Sequence, residues 1–312
     1  MKAAKVLFGF CAGAAAGYAA VRAIEALREW RAPAPLLEKD PAAYARSRRA
    51  LEVADTLRGL ATALAVAYGP PGEAVDRATL RAPAWLRPAL FASALSSLGA
   101  IADLPVSFVT DFTLERRYGL SEQKRRAWLA DYARGTAVST VFTAVVATLF
   151  GWAVRRSPRR WPLLAALGTV PLLIAGNVIV PLYVMPLFND FEPVTGALET
   201  RLRALAARFG VGDADILRMD MSRQTRKANA FVAGVGGTHR IVIGDTLIGA
   251  FPEDEVEFVV AHEIGHYVNR DTWRLIAAGE ALAVALFLFA NAAVAEDERA
   301  ELRDRPLLIA RL

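Results

Sequence analysis

Apolar residues gather into long runs along most of this chain, and only between residues 188 and 274 does the pattern shorten to that of a water-facing fold. A helix needs about 20 mainly apolar residues to cross a hydrocarbon core. Runs of that order occupy residues 6–21, 86–109, 137–154, 161–187 and 275–294, and each is expected to be a membrane helix. The first follows Lys2 and Lys5 and has the form of a signal peptide or a first span. More spans follow it, which favours a retained helix. Residues 27–50 are charged and read as a loop or interfacial helix, whereas 51–68 is ambiguous. Asp55 and Arg58 within it would be expensive at the bilayer centre. Pro162, Pro171, Pro181 and Pro186 punctuate the 161–187 run, and a membrane helix tolerates them where neighbours satisfy the freed backbone groups.

The intervening stretch behaves differently. Leu198, Leu202, Leu205 and Phe209 recur at helical spacing, and Gly210 and Gly212 end that helix. Residues 216–219 read as a short strand. Residues 229–235, a Gly236-Gly237 turn and residues 240–243 read as a hairpin. The expected fold is therefore mainly α: a polytopic membrane helical bundle with a small α+β insertion. Three regions follow: membrane helices over 1–187 (four or five spans), the inserted domain over 188–274, and a membrane helix with a charged tail over 275–312.

Composition sharpens this picture. Hydrophobic residues make up 54% of the 312, above the usual share for a soluble domain. The net charge of +5 would suit nucleic acid in a soluble protein. Here the cations sit beside apolar runs, at Arg116-Arg117, Lys124-Arg125-Arg126, Arg155-Arg156 and Arg159-Arg160. That placement anchors helices in a lipid bilayer, and nucleic acid is not an expected partner. Basic stretches flank both ends of one span, so charge assigns no sidedness. The single cysteine, Cys11, excludes an intrachain disulfide and reads as a small buried hydrophobe. Asp103 and Asn177 lie within apolar runs and should face protein or water. Helix packing explains them as well as a site does.

The chemistry is concentrated in one place. Of only three histidines, His262 and His266 stand four apart, with Glu263 beside the first. Chance gives that pattern in on the order of two such chains per thousand. Pro252 suits a first helical turn, and Glu253, Asp254, Glu255 and Glu257 crowd the end where the helix dipole favours anions. Residues four apart on a helix are offset by about 40°, so both imidazoles leave one face and can reach one ion. Zinc accepts imidazole nitrogen in tetrahedral geometry. Glu263 is then placed to take a proton from the attacking water and return it to a leaving amine. The third histidine, His239, beside the Gly236-Gly237 turn, reads as an exposed turn residue.

These residues, with others in order, resemble the type I CAAX prenyl protease family, and more distantly the heat-shock membrane proteases. The marks run from Leu104-Pro105, Arg117-Tyr118-Gly119-Leu120 and Trp128 to Pro186-Leu187-Phe188, Phe191-Glu192-Pro193 and Gly196. They continue through Asp220, Ser222, Asn229-Ala230-Phe231, Gly234 and Asp245-Thr246-Leu247 to Ala261-His262-Glu263-Ile264-Gly265-His266 and Asn269-Arg270-Asp271. The resemblance implies a multi-pass zinc (Zn2+) endopeptidase of a bacterial cytoplasmic membrane. It makes His262 and His266 ligands, Glu263 the catalytic base, and Asn229, Ala230 and Phe231 a strand lining the substrate cleft. It implies peptide or protein substrates that are prenylated or membrane-bound. A strand edge can hold an extended peptide by main-chain hydrogen bonds.

One departure stands out. The family's third ligand is a glutamate on a later helix, in a Glu-x-x-Ala-Asp-like motif that this sequence lacks. Glu280 would lie about 21 Å along a continuous helix from His266, out of reach. Glu296, Glu298 and Glu301 read as solvated. The expectation is a chain truncated at its C-terminal side; the alternative to an active enzyme is a catalytically impaired relative serving a non-enzymatic role.

Overall fold

The structure, a computed structural model, describes residues 41–234, 239–293 and 307. The 6–21 run, Cys11, the Gly236-Gly237 turn and Glu296, Glu298 and Glu301 lie outside those residues. The described residues divide into two compact units, 41–119 and 124–162 falling in one and 120–123 and 163–288 in the other.

The first unit is helical: α1 Pro41–Tyr68, α2 Pro70–Thr79, α3 Arg87–Ser107, α4 Leu114–Arg117 and α5 Arg125–Arg156. α1 is continuous, so the expected division near residue 50 does not exist. Its charges are satisfied by neighbours rather than by lipid or water alone. Arg58 reaches Asp55 at 2.8 Å and Asp103 on α3 at 2.6 Å. Glu115, buried, accepts from Tyr44 at 2.6 Å and from Arg48 at 3.0 Å. A buried carboxylate with two such donors is tolerable where an unpaired one would not be. Asp103 also accepts from Ser107 at 2.7 Å. Its role is therefore in packing.

α3 runs on through a π-helical turn, Phe108–Thr113, into α4. Pro105 precedes that turn. Proline lacks the N–H of the regular ladder, and an irregular turn nearby absorbs the mismatch. Phe108 and Phe112 stack there at 4.9 Å, and Trp128 of α5 meets Phe108 edge-on at 5.5 Å. Tyr132 of α5 donates to Ala100 O at 2.7 Å.

Four helices among the described residues have the length and apolarity to cross a membrane: Arg87–Arg117, Arg125–Arg156, Trp161–Leu187 and Asp271–Ala292. The first two are longer than the apolar runs that announced them. In each, the helix continues into charged turns that pattern alone would leave as loop. Most of their surface is open, as a lipid-facing helix requires.

The second unit holds α6 Trp161–Ile179, which passes through a π turn at Val180–Val184, beside Pro181, into a short 3-10 turn Met185–Leu187. Asn177 donates to Leu173 O of its own helix at 2.9 Å. Beyond lies a four-stranded sheet of β1 Phe191–Pro193, β2 Asp215–Met219, β3 Ala230–Ala233 and β4 Arg240–Gly244, in the order β1-β2-β4-β3. β2 and β4 are parallel; β1 and β3 pair antiparallel on either side. β3 and β4 pair antiparallel, as the two arms of the expected hairpin would, and β2 takes in the expected 216–219 strand. β1 is an addition, too short at three residues to show a period.

α7 Ala197–Arg208, α8 Asp245–Ala250, α9 Glu253–Val268 and α10 Asp271–Ala293 complete the unit. Its core joins Leu198, Leu202 and Leu205 of α7 and Val256, Val260 and Ile264 of α9 to Ile216, Ala230, Ile241 and Ile243 of the sheet. Phe209 is not part of it: the helix ends one residue earlier, and that ring is 45% exposed. Across the outside of the two helices Arg201 pairs with Glu257 and Glu253.

Candidate metal centre

α9 is built so that one ridge anchors and the next reacts. Val256, Val260 and Ile264 recur every fourth residue and are fully buried on the sheet. Pro252 is the N-cap rather than a first-turn residue, and Glu253, Asp254 and Glu255 form the first turn. With that ridge fixed, His262 and His266 project from an exposed face, and Glu263 lies between exposed and buried.

The two Nε2 atoms are 3.1 Å apart, with the rings nearly perpendicular at 85°. Two imidazole nitrogens on one tetrahedral zinc stand about 3.3 Å apart when each bond is about 2.05 Å. The pair therefore fits a shared ion. His266 Nδ1 is 2.8 Å from Asp271 Oδ2. With Nδ1–H donating to that carboxylate, Nε2 keeps its lone pair for a metal. The same hydrogen bond, and then the charges of Asp271 and Glu263, hold the His266 imidazole above its ordinary pKa.

Asp271 reaches His266 because the chain breaks between them. α9 ends at Val268, and Arg270 adopts the left-handed conformation at φ 57°. The distance to Glu280 along a continuous helix therefore does not apply. Glu280 lies on α10 and accepts a hydrogen bond from Thr169 Oγ1 on α6. Among the described residues, no cluster of three His, Cys, Asp or Glu side chains forms a metal cage.

His239 is not an exposed turn residue. It is half-buried, its ring meets Tyr267 edge-on at 4.7 Å, and its Nε2 is 2.5 Å from the Tyr267 hydroxyl. It braces the C-terminal turn of α9 and stands apart from the two ligand candidates.

A cleft of about 460 Å³ opens beside Glu263. Asn229 and Ala230 line it, facing Leu247, Phe251, Phe258 and Val259. Phe231 is not among the lining residues; it pairs with Val242 in the ladder. β3 is an edge strand, and Asn229 O accepts from Gly244 N at 2.9 Å. In an antiparallel ladder the direction alternates, so Asn229 and Phe231 turn their backbone groups inward to β4. Those of Ala230 and Val232 point away from β4, to the side where the sheet order ends. Gly244 has a close-approach role there: a Cβ would come within 2.6 Å of Met221 Sδ and 3.1 Å of Asn229 O.

The approach to β3 is tied down from two directions. Asp245 accepts from the Ser222 backbone N–H at 2.9 Å and from its hydroxyl. Ser121 donates to Gln224 O at 2.6 Å, and Leu120 O accepts from Arg226 N–H at 2.8 Å. Ser222, Asp245 and Leu120, noted in the sequence only as family marks, thus hold the loop that feeds the edge strand.

The chain is similar to known proteins. Residues 38–190 match the family described as CAAX prenyl protease N-terminal, five membrane helices, and residues 193–310 match peptidase family M48. The chain is 32% identical to CAAX prenyl protease 1 of Saccharomyces cerevisiae over 57% of its own length and 40% of that protein. It is 29% identical to the uncharacterized metalloprotease YhfN of Bacillus subtilis, over 59% of its length and 43% of that protein. It thus spans less than half the length of these curated relatives. The crystal structure of S. mikatae Ste24p superposes with a TM-score of 0.67 at 20% identity, over 91% of this chain and 72% of that one, a likeness of fold. With its membrane-spanning helices and both matches in register, the chain is an integral membrane protein and belongs to the CAAX prenyl protease family of M48 peptidases.

Proposed function

We propose that the protein is a zinc-dependent endopeptidase that cuts membrane-associated proteins, prenylated CAAX-type chains among them, in a bacterial cytoplasmic membrane. The observation that carries this is the convergence of the His262 and His266 Nε2 atoms at 3.1 Å, with Asp271 behind one, next to a cleft that Glu263 lines. The domain over 188–274 is its peptidase unit.

His262 and His266 would hold the ion, and Asp271 fixes the His266 tautomer. Bound zinc supplies Lewis-acid polarisation of the scissile carbonyl and makes water a competent nucleophile near neutral pH. Glu263 takes the proton from the attacking water as the new C–O bond forms. It then delivers that proton to the amide nitrogen as the C–N bond breaks, so no covalent enzyme intermediate is required. The edge groups of Ala230 and Val232 hold the substrate backbone extended and bring the scissile bond to Glu263.

Zinc content and proteolysis of the detergent-purified chain test this together. The wild type and Glu263→Gln should each carry about one zinc per chain, and His262→Ala should lose it. Glu263→Gln should retain zinc yet fall at least ~10²-fold in cleavage. Zinc-loaded wild type that cuts neither peptides nor membrane proteins would point instead to a non-enzymatic relative.

A further inference from the structure

From the N-terminus of α9 towards the metal pair, the residues on the cleft change character in order. Asp254 and Glu255 come first, Phe258 and Val259 one turn on, and Glu263 another turn on. Phe258 is 75% exposed and Phe251, across from it, 43% exposed. Aromatic surface left open beside a reactive carboxylate is surface awaiting a partner.

Acidic residues in a first helical turn ordinarily serve the dipole alone. Two facts set these apart. Arg201 engages Glu253 and Glu257 on the other flank, and Glu255 has no ion-pair partner among the described residues. The cleft lining contains Asp254, Glu255 and Glu263 and no lysine or arginine, in a chain of net charge +5. Its charge is complementary to a cationic ligand, and its walls to an apolar one.

Resting on the peptidase reading above, we infer that the cleft selects an extended peptide with a bulky apolar side chain near the scissile bond and a lysine or arginine farther out on the same side. Helix rise sets the spacing. Phe258 and Val259 lie about 6–8 Å along α9 from Glu263, and Asp254 and Glu255 about 12–14 Å. An extended peptide advances about 3.3 Å per residue, so the apolar residue stands about two positions from the bond cut and the cation about four. The aromatic rings bury the first side chain, and the carboxylates steer and hold the second.

Full-length protein in detergent, loaded with zinc, is tested with fluorogenic peptides that carry leucine or asparagine at the second position and lysine or glutamate at the fourth, on either side of a fixed scissile bond. Cleavage is read as kcat/KM, and binding of the same labelled peptides is read by anisotropy with Glu263→Gln protein. On one side of the bond, lysine should outperform glutamate by about tenfold in both readouts, and Glu255→Lys should reverse the order. Phe258→Ala should erase the leucine preference while leaving the lysine preference in place. Cleavage with no preference for lysine, a preference unmoved by Glu255→Lys, or no measurable peptide binding would overturn the inference. Binding that prefers lysine without any cleavage would uphold the cleft's selectivity and sink the peptidase reading instead.

Discussion

The carboxylate of Asp271 answers to two partners, His266 Nδ1 at 2.8 Å and Arg274 Nη1 at 3.4 Å. It meets the imidazole at Nδ1, the nitrogen turned away from the His262–His266 Nε2 pair, so it acts by positioning. Asp271→Asn should weaken zinc binding by about 10–100-fold, measured by competition with a chromogenic chelator, while circular dichroism stays unchanged. A loss of helicity with the metal would show that the residue caps α10 and does nothing for the imidazole. At this scale the sequence was informative where chemistry is local. His262 and His266 are legible as a pair because histidine is scarce and helical spacing fixes their common face, and Glu263 is legible by its place beside the first. Asp271 was visible as a family mark without a role, because its reach to His266 depends on the backbone reversal at Arg270. His239 was misjudged for a related reason: a turn residue looks exposed until Tyr267, 28 positions later, is folded over it.

Among the elements, α9 carries the centre and the sheet carries α9. Ile264 is fully buried between His262 and His266 and contacts that core. Ile264→Ala should cost about 2–5 kcal/mol in the stability of the second unit, followed by denaturant melting in detergent. Zinc binding should weaken along with stability, since the cavity frees the ridge that aims both imidazoles. A variant with wild-type stability would show that α9 is held from elsewhere. The strands β2, β3 and β4 were readable because apolar residues, a turn and a return run follow closely. β1 was not, since three residues carry no period and their partner lies more than twenty positions away. α1 defeated pattern reading because hydropathy charges the full desolvation penalty to Arg58, whereas the fold supplies Asp55 and Asp103 to it. The length of α5, and of the continuous span that α3, the π turn and α4 form together, was underestimated for the converse reason: a membrane helix does not stop where its apolar run stops.

For the molecule as a whole, the break at Arg270 joins two environments. The chain before the break is the helix that carries His262 and His266, and the residue after it, Asp271, opens a 22-residue apolar helix long enough to cross a bilayer. The carboxylate that steadies His266 is therefore also the first rung of a membrane anchor. A bilayer thinner than the helix makes it tilt, and a thicker one draws its ends inward, at a modest cost per ångström of mismatch. Either movement displaces Asp271 relative to His266. Zinc dissociation measured in nanodiscs of increasing acyl length should pass through a minimum at the matching thickness, and Asp271→Asn should flatten that curve. A rate independent of acyl length in the wild type would uncouple the two. Coupled, they would make lipid thickness a control on how long a bound metal stays, so on the proposed function the membrane that presents a substrate would also set the readiness of the centre that cuts it.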